Sequence, residues 1–399
     1  MSDMPNVHLA SSHLLYGKSI AIVGGGPSGL ALARLLQLAG VEVRVYERDE
    51  SPCARNQGGS LDLHEGSGQL AMRRCGLIDR FHTLSRPEGQ CNVVYDKHAT
   101  LQISTSPEDE DESAPEIDRG ELLELLRGSL SAGTVAWGHR LESMADVSGG
   151  GYALTFSHGA SVLADIVIGC DGIRSKVRAF LGRPAPTYTG VTFIETRIGN
   201  IDTTHPDIAR IVGLGSAMSL GDHKGLLAQR NADGSIRIYV ACRVGEHWME
   251  ESWLSPSDPH RLRQTLMSWF DDWSPSLVRM LKESEDAFLP WPLYAMATDT
   301  NTSARSNITL MGDSAHAMPP FLGAGANMAL LDAVELAVHL TRGEHQTLGE
   351  AIQAFEGGMM KRMTPMVERS VATQDLLLSD DAPAGLVALM MSNHPAPRQ

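Results

Sequence analysis

Cysteine is scarce. The five residues (Cys53, Cys75, Cys91, Cys170 and Cys242) are odd in number and form no CxxC pair. That argues against a zinc site or a disulfide framework and fits reduced thiols in a cytoplasmic protein. Basic residues are also in short supply: Lys plus Arg number 33 against 48 Asp plus Glu, a formal charge of −15. Nucleic acid and anionic lipid need a basic surface, so both are disfavoured as partners. No apolar run approaches the roughly 18 residues of a membrane span. Residues 20–39 come closest, but Gly, Pro, Ser, Arg and Gln interrupt them. The first 18 residues lack the charged start and apolar core of a secretory leader. No histidine pair has metal-ligand spacing, so no metal is expected, and no GxSxG elbow marks a serine hydrolase.

What is present centres on Ile20-Ala-Ile-Val23, an apolar run ending in Gly24-x-Gly26-x-x-Gly29. The run reads as a buried parallel strand. Apolar residues at helical spacing then extend from Leu30 to Ala39, Gly40 ends them, and Val41 to Tyr46 gives a second strand closed by Glu47. This is a dinucleotide-binding unit. Gly24 permits the tight turn, Gly26 lets backbone approach a pyrophosphate, and Gly29 lets helix pack on strand. Glu47 is placed to accept hydrogen bonds from a ribose diol.

Two further apolar strands end in a glycine and an acid: Ser161 to Ile168 before Gly169-Cys-Asp171-Gly172, and Ile308 to Met311 before Gly312-Asp313. Residues 91–104 alternate like one strand, and Ser106 to Glu116 reads as a solvated acidic loop with no functional role. Asp118 with Glu121 has capping-box spacing before a leucine-rich helix. Arg119 then stands at that helix's first turn, either facing solvent or, if buried, holding an anionic or carbonyl partner. Residues 187–245 read as an antiparallel sheet, and 258–283 and 348–379 as helical. His316 reads as a packed turn residue, and Met359, Met360, Met363 and Met366 as packing rather than a ligand box.

The three turns, with Glu47-Arg48, Ser175 and Arg178 and Ala315-His316 to Pro319-Pro320, resemble the aromatic-hydroxylase family of FAD-dependent monooxygenases over residues 18–340. Gly58 to Gly68 and Glu116-Ile-Asp-Arg119 look most like its tetracycline-inactivating members. The resemblance implies an α/β fold: a Rossmann-like FAD-binding domain with a parallel sheet, a second domain on an antiparallel sheet, and a C-terminal helix. The implied division is 1–75, 105–185 and 287–345 for FAD, 76–104 and 186–286 for substrate, and 346–399 as a helical segment. Gly24, Gly26, Pro27, Ser28 and Gly29 would hold the cofactor, with Glu47 at the adenosine ribose and Arg48 near the adenine. Asp313 would hold the ribityl chain. Pro320, Gly323, Ala324, Gly325 and Asn327 would lie by the flavin, with backbone N–H groups at its N1–C2 side. Arg119 and Asp62 would flank the flavin, Arg55 would meet NADPH, and Asp171 and Arg178 would serve the pyrophosphate and the nicotinamide cofactor.

The implied reaction uses FAD, NADPH or NADH, and O2. It hydroxylates a phenolic or polycyclic aromatic molecule through a flavin C4a-hydroperoxide, with tetracycline as a narrower option. No side chain is assigned as nucleophile or general base. Glu195 and Ser216 stand where the tetracycline-inactivating enzymes offer glutamine and arginine, and Ile238 lies near their histidine position. Phe321 faces either substrate or packing. Fold-related alternatives are a flavin halogenase, whose WxWxIP element is not matched by Leu289-Pro-Trp-Pro-Leu293, or an isoprenoid reductase; a non-enzyme alternative is a FAD-binding scaffold or sensor. The expected state is a monomer or weak oligomer.

Overall fold

A computed structural model describes residues 14–54, 58–105, 114–297 and 305–393. Arg55 lies outside them. A five-stranded parallel sheet runs in the order Ile308–Leu310, Ile166–Gly169, Ile20–Val23, Arg44–Tyr46, Val135–Ala136. Its central strand is buried on both faces, which is why Ile20 to Val23 reads as unbroken apolar sequence. Ile20 pairs with Ile166, and Val23 with Gly169, so the first two glycine turns leave the same sheet edge side by side. The helix Pro27–Leu38 packs against the helix Gly325–Thr341, and with Phe355, Met359, Met360 and Met363 they form one apolar core.

A seven-stranded sheet has the order Leu289–Ala295, Thr187–Ile198, Ile236–Arg243, Lys224–Arg230, Ser216–Gly221, Asn92–Asp96, Leu101–Thr105. Its pairs are antiparallel except for the parallel pair of Ser216–Gly221 with Asn92–Asp96. Successive side chains alternate between faces. Ile194, Ala217, Ala228, Ile238 and Val240 pack on the helices Pro206–Val212, Pro259–Ser268 and Pro275–Lys282. Val94, Val191, Phe193, Leu220 and Ala241 point the other way, and meet Leu377, Leu378 and Leu386. Each fully buried aliphatic side chain contributes about 1.5–3 kcal/mol. A slip of one residue would move all of the first set into the second environment, so this register is strongly fixed.

The helix Leu348–Leu377 spans both regions. Thr347 and Glu350 form a complete capping box at its start. Its far end is fastened to the seven-stranded sheet by Gln374, which exchanges hydrogen bonds with Thr189.

Three expectations change. Residues 91–104 are two strands of a hairpin, Asn92–Asp96 and Leu101–Thr105, turning at Ala99 with a positive φ. Residues 106–113 of the acidic loop lie outside the described residues, while Glu116 opens the strand Glu116–Asp118 and is buried. Asp118 makes no side-chain cap on the helix Arg119–Arg127. Its carboxylate instead accepts from Arg86 at 2.8 Å and from the Ala232 N–H at 3.1 Å. A guanidinium outcompetes a single backbone donor because its bond is charge-assisted.

Candidate active site

The glycines of the first turn are demanded by different things. A Cβ on Gly24 would lie 2.2 Å from the Cys170 carbonyl oxygen, and one on Gly29 2.1 Å from that of Gly24. A Cβ on Gly26 would meet nothing within 4 Å. Packing therefore requires Gly24 and Gly29, whereas Gly26 borders open space. Gly26 is also the N-cap of Pro27–Leu38, which has no side-chain cap and no acid in its first turn. Its N–H groups and positive end stay available to an anion. Pro27, without an N–H, occupies the first helical position, and Ser28 is buried behind it.

Beside this turn runs a cleft of about 600 Å³, lined by Gly25, Gly26, Glu47, Gly58, Arg119 and Arg237 among others. Glu47 is 8% exposed and its carboxylate accepts the Gly25 N–H at 2.5 Å and the Asp49 N–H at 3.0 Å. This fixes the acid at the end of its strand. Arg48 follows, exposed at the surface. Arg119 is half-buried at the start of its helix, its stem 3.6 Å from where a Gly58 Cβ would sit.

The second turn is internal. Asp171 accepts from Ser175 Oγ at 2.5 Å and from the Lys176 N–H at 2.7 Å, and so caps the helix Lys176–Phe180. Burial pushes its carboxyl up, against the donors that hold the charged form. Arg178 is buried and donates to the carbonyls of Pro184 at 2.7 Å and of Ser314 and Ala315 at 3.4 and 3.2 Å. Both residues were expected at the cofactors; the bonds they make here brace the fold, and Arg178 steadies the segment that carries Asp313.

The third turn places Asp313, exposed, at the start of the short helix Asp313–His316. Behind it Asp332, fully buried, accepts from the Gly312 N–H at 2.9 Å, from His316 Nε2 at 2.6 Å and from Arg362 at 2.7 Å. Burial disfavours the His316 imidazolium, but the Asp332 charge outweighs it and raises the histidine pKa. His316 is thus a structural partner, as its place in the sequence suggests.

Pro320–Leu322 forms a 3-10 turn, Gly323 takes a positive φ of 63°, and Ala324 precedes the helix Gly325–Thr341, again with no side-chain cap or first-turn acid. A second uncapped helix start therefore opens here. The Asn327 side chain is committed elsewhere. Its Oδ1 accepts from the His64 N–H at 2.8 Å and the Gly68 N–H at 3.2 Å, and its Nδ2 donates to the Asp62 carbonyl at 2.7 Å. So of Asn327 the backbone, not the amide, is left for a cofactor. Asp62 lies beside Gly323, where a Cβ would come within 3.0 Å of its carboxylate.

The face of the seven-stranded sheet that carries Phe193, covered in part by Leu377, Leu378 and Leu386, adjoins these turns through Phe321 and Arg237. Directly opposed residues share a face, so register sorts its side chains into rows. One row is Leu289, Glu195, Tyr239, Leu227, Met218 and Val94. The next contains Arg237, Gln229 and Ser216. Glu195 is ion-paired to Arg237, their side chains 11% and 6% exposed. Phe321 meets Phe193 edge-on, with ring centroids 5.5 Å apart. Glu195 and Ser216 therefore share one face, and Phe321 packs on the Phe193 ring of that face. Ile238 does not share it; it faces the helices with no exposure, so the neighbouring positions Arg237 and Tyr239 are the ones that reach this surface.

A family model described as "FAD binding domain" matches residues 18–353. Monooxygenase penA of Penicillium thymicola is 30% identical over 393 residues, 84% of this chain and 90% of its own. The chain belongs to the FAD-dependent monooxygenases of this family. The 6-hydroxynicotinate 3-monooxygenase of Bordetella bronchiseptica is 27% identical, over 86% of this chain and 88% of its own. The crystal structure of the tetracycline destructase Tet(55) superposes with a TM-score of 0.73 at 18% identity, covering 94% of each chain, which shows a shared fold.

In this FAD-dependent monooxygenase, of the aromatic-hydroxylase type, an unfilled approach at Gly26 and two uncapped helix starts fit the flavin nucleotide. Sequence reading missed Gln229, Glu116, Arg237 and Tyr239. The Gln229 amide pairs with the Ser60 peptide in both directions, at 3.1 and 3.2 Å, and donates to Glu116 at 3.3 Å. Burial pushes the Glu116 carboxyl up to about 7. Gly59 held a signal for three of them: its Cβ would strike Gln229 at 2.5 Å and the Tyr239 hydroxyl at 3.0 Å, and lie 3.5 Å from the Arg237 stem, while Glu116 stands in the motif Glu116-Ile-Asp-Arg119. No group of three or more metal-ligating side chains occurs among the described residues, and no described helix is long and apolar enough to cross a membrane.

Proposed function

We propose that this monooxygenase hydroxylates a phenolic or polycyclic aromatic small molecule held against the face of the seven-stranded sheet that carries Phe193 and Glu195, with NADPH or NADH as reductant. The observation that carries this reading is the meeting of two surfaces. The glycine turns at Gly26 and Gly323 lie beneath a sheet face that sets aromatic Phe193 and Phe321 beside a buried ion pair, Glu195 with Arg237. An aromatic ring with hydroxyl substituents matches that mixture of aromatic wall and fixed polar groups.

Gly24 to Gly29 and the first turn of Pro27–Leu38 would hold the FAD pyrophosphate, Glu47 the adenosine ribose, Asp313 the ribityl chain, and Gly323 to Asn327 the flavin edge. Bound FAD supplies the redox chemistry, accepting electrons from the nicotinamide and activating O2. The chain supplies the rest. The N–H groups at the start of Gly325–Thr341 would stabilise negative charge on the bound group, Arg119 and Asp62 would lie beside it, and Phe193 and Phe321 would keep water from the substrate. Glu195 enters neutralised by Arg237, so together they orient polar substituents without excluding an anionic phenolate. Ser216 adds a hydroxyl rather than a guanidinium. That polar set favours simple and fused phenols, with tetracycline a narrower candidate.

The division into FAD-binding segments 1–75, 105–185 and 287–345 and substrate segments 76–104 and 186–286 belongs to the same proposal. The test is NADPH and NADH oxidation by the FAD-loaded protein across a panel of phenols and fused aromatics, with product masses. Stimulation by a panel member, with gain of one oxygen atom, is expected. Oxidation that no aromatic stimulates overturns the reading, and flavin that stays oxidised under anaerobic NADPH indicates a scaffold or sensor.

A further inference from the structure

The segment Leu289-Pro-Trp-Pro-Leu293 forms an edge strand of the seven-stranded sheet. Trp291 is directly opposite Phe193, and Leu289 opposite Glu195. Opposed residues share a face, so Trp291 and Leu289 prolong the substrate-facing rows to the sheet's rim. Exposure rises along that line. Phe193 is 6% exposed, Leu293 is half-buried against the same cluster, Trp291 is 43% exposed and Leu289 50%. The buried ring of Phe193 thus has an exposed indole as its cross-strand neighbour on the same face. Adjacent exposed apolar side chains that continue a buried row mark a surface suited to an apolar ligand.

We infer that Trp291 and Leu289 form an outer subsite that stacks against an apolar aromatic extension of the substrate, beyond the ring that is hydroxylated. This rests on the hydroxylase reading and narrows it to substrates longer than one ring. A further strand is a poor occupant, because Pro290 and Pro292 deprive this edge of the N–H donors that strand addition needs. Position favours the substrate itself: Trp291 lies directly opposite Phe193 on one face, and Phe193 meets Phe321, so a flat body lying over Trp291 extends toward that pair. The indole supplies a wide stacking face that an aliphatic residue would not.

The test compares phenol with 4-phenylphenol as probes of the FAD-loaded protein, reading affinity from the perturbation of the flavin absorbance. The wild-type chain binds 4-phenylphenol about tenfold tighter than phenol. Trp291→Ala removes most of that ratio while leaving the phenol affinity and flavin content in place, and Trp291→Phe restores most of it. Equal affinities in the wild type, no perturbation by 4-phenylphenol, or an equal loss for both phenols in Trp291→Ala overturns the subsite. So does a dimer that dissociates on Trp291→Ala, since a second copy would then be the cover. If the affinity pattern holds but no member of the aromatic panel stimulates reductant oxidation, the subsite stands as an aromatic-binding surface and the hydroxylase reading falls.

Discussion

Replacing Gly26 by alanine separates cofactor binding from folding. The new methyl meets no atom within 4 Å, and the backbone there, at φ −74° and ψ 179°, is open to any residue. The cofactor-free protein should therefore lose only the small difference between glycine and alanine at an N-cap, about 0.5 kcal/mol. FAD meets a different obstacle, because the methyl occupies the approach to the uncapped N–H groups. Charge-assisted hydrogen bonds are worth about 1.5–3 kcal/mol each. Losing about 3 kcal/mol in total raises Kd roughly a hundredfold. At FAD about 100-fold above the wild-type Kd, binding stabilises the wild type by ~2.7 kcal/mol and the variant by only ~0.4 kcal/mol. Gly29→Ala behaves in the opposite way, since its methyl would lie 2.1 Å from a carbonyl oxygen and the helix must shift even without FAD. Denaturant unfolding with and without FAD, with a fluorescence titration of the cofactor, reads both quantities. A Gly26→Ala Kd within about threefold of wild type, or a cofactor-free protein as damaged as Gly29→Ala, refutes the reasoning.

Glu116 gives a pH prediction. Burial lifts its carboxyl from 4.5 to about 7, so between those values the folded chain keeps a proton that the unfolded chain releases. Stability then falls as pH rises through that window and levels off above it, by at most ~3 kcal/mol. Glu116→Gln should gain on the wild type between about pH 5 and pH 8 in thermal or urea unfolding, and a constant difference would contradict this. Asp332→Ala strands His316 and the Gly312 N–H and takes one partner from Arg362. It should cost ~3 kcal/mol or more in urea unfolding, and a loss under about 1 kcal/mol would show that these groups do not depend on Asp332. Arg119→Ala should weaken FAD binding and slow flavin reduction by NADPH; if neither changes, Arg119 is not part of the site.

The three glycine turns were legible because each is local: strand, turn and helix start lie within about 15 residues, and sterics alone demand glycine at Gly24 and Gly29. The sheet strands were legible for a similar reason, since alternation betrays a face. What joins the faces was not. Gln229 reaches Ser60 across 169 residues, and Asp118 answers to Arg86 and Ala232 instead of to its own helix. Such pairs depend on how sheets dock, which no spacing in the sequence encodes. Ile238 shows the limit at one-residue scale: it lies near the histidine position of the tetracycline-inactivating enzymes yet faces the helices, because register, not proximity in sequence, decides which face a side chain joins. Arg178 and Asp171 sit in a motif legible as functional, yet their hydrogen bonds are internal. The motif marks a turn that must be built, and part of what its polar residues do is hold that turn.

The central claim is that the turns at Gly26, Asp313 and Gly323 grip one FAD along its length. Flavin content of the purified chain tests it most directly, by absorbance near ~450 nm, a general property of oxidised flavins, and by titration of the cofactor-free form. One FAD per chain, bound with the Gly26→Ala sensitivity described above, is the predicted result. A colourless protein that takes up no FAD on reconstitution would contradict the account.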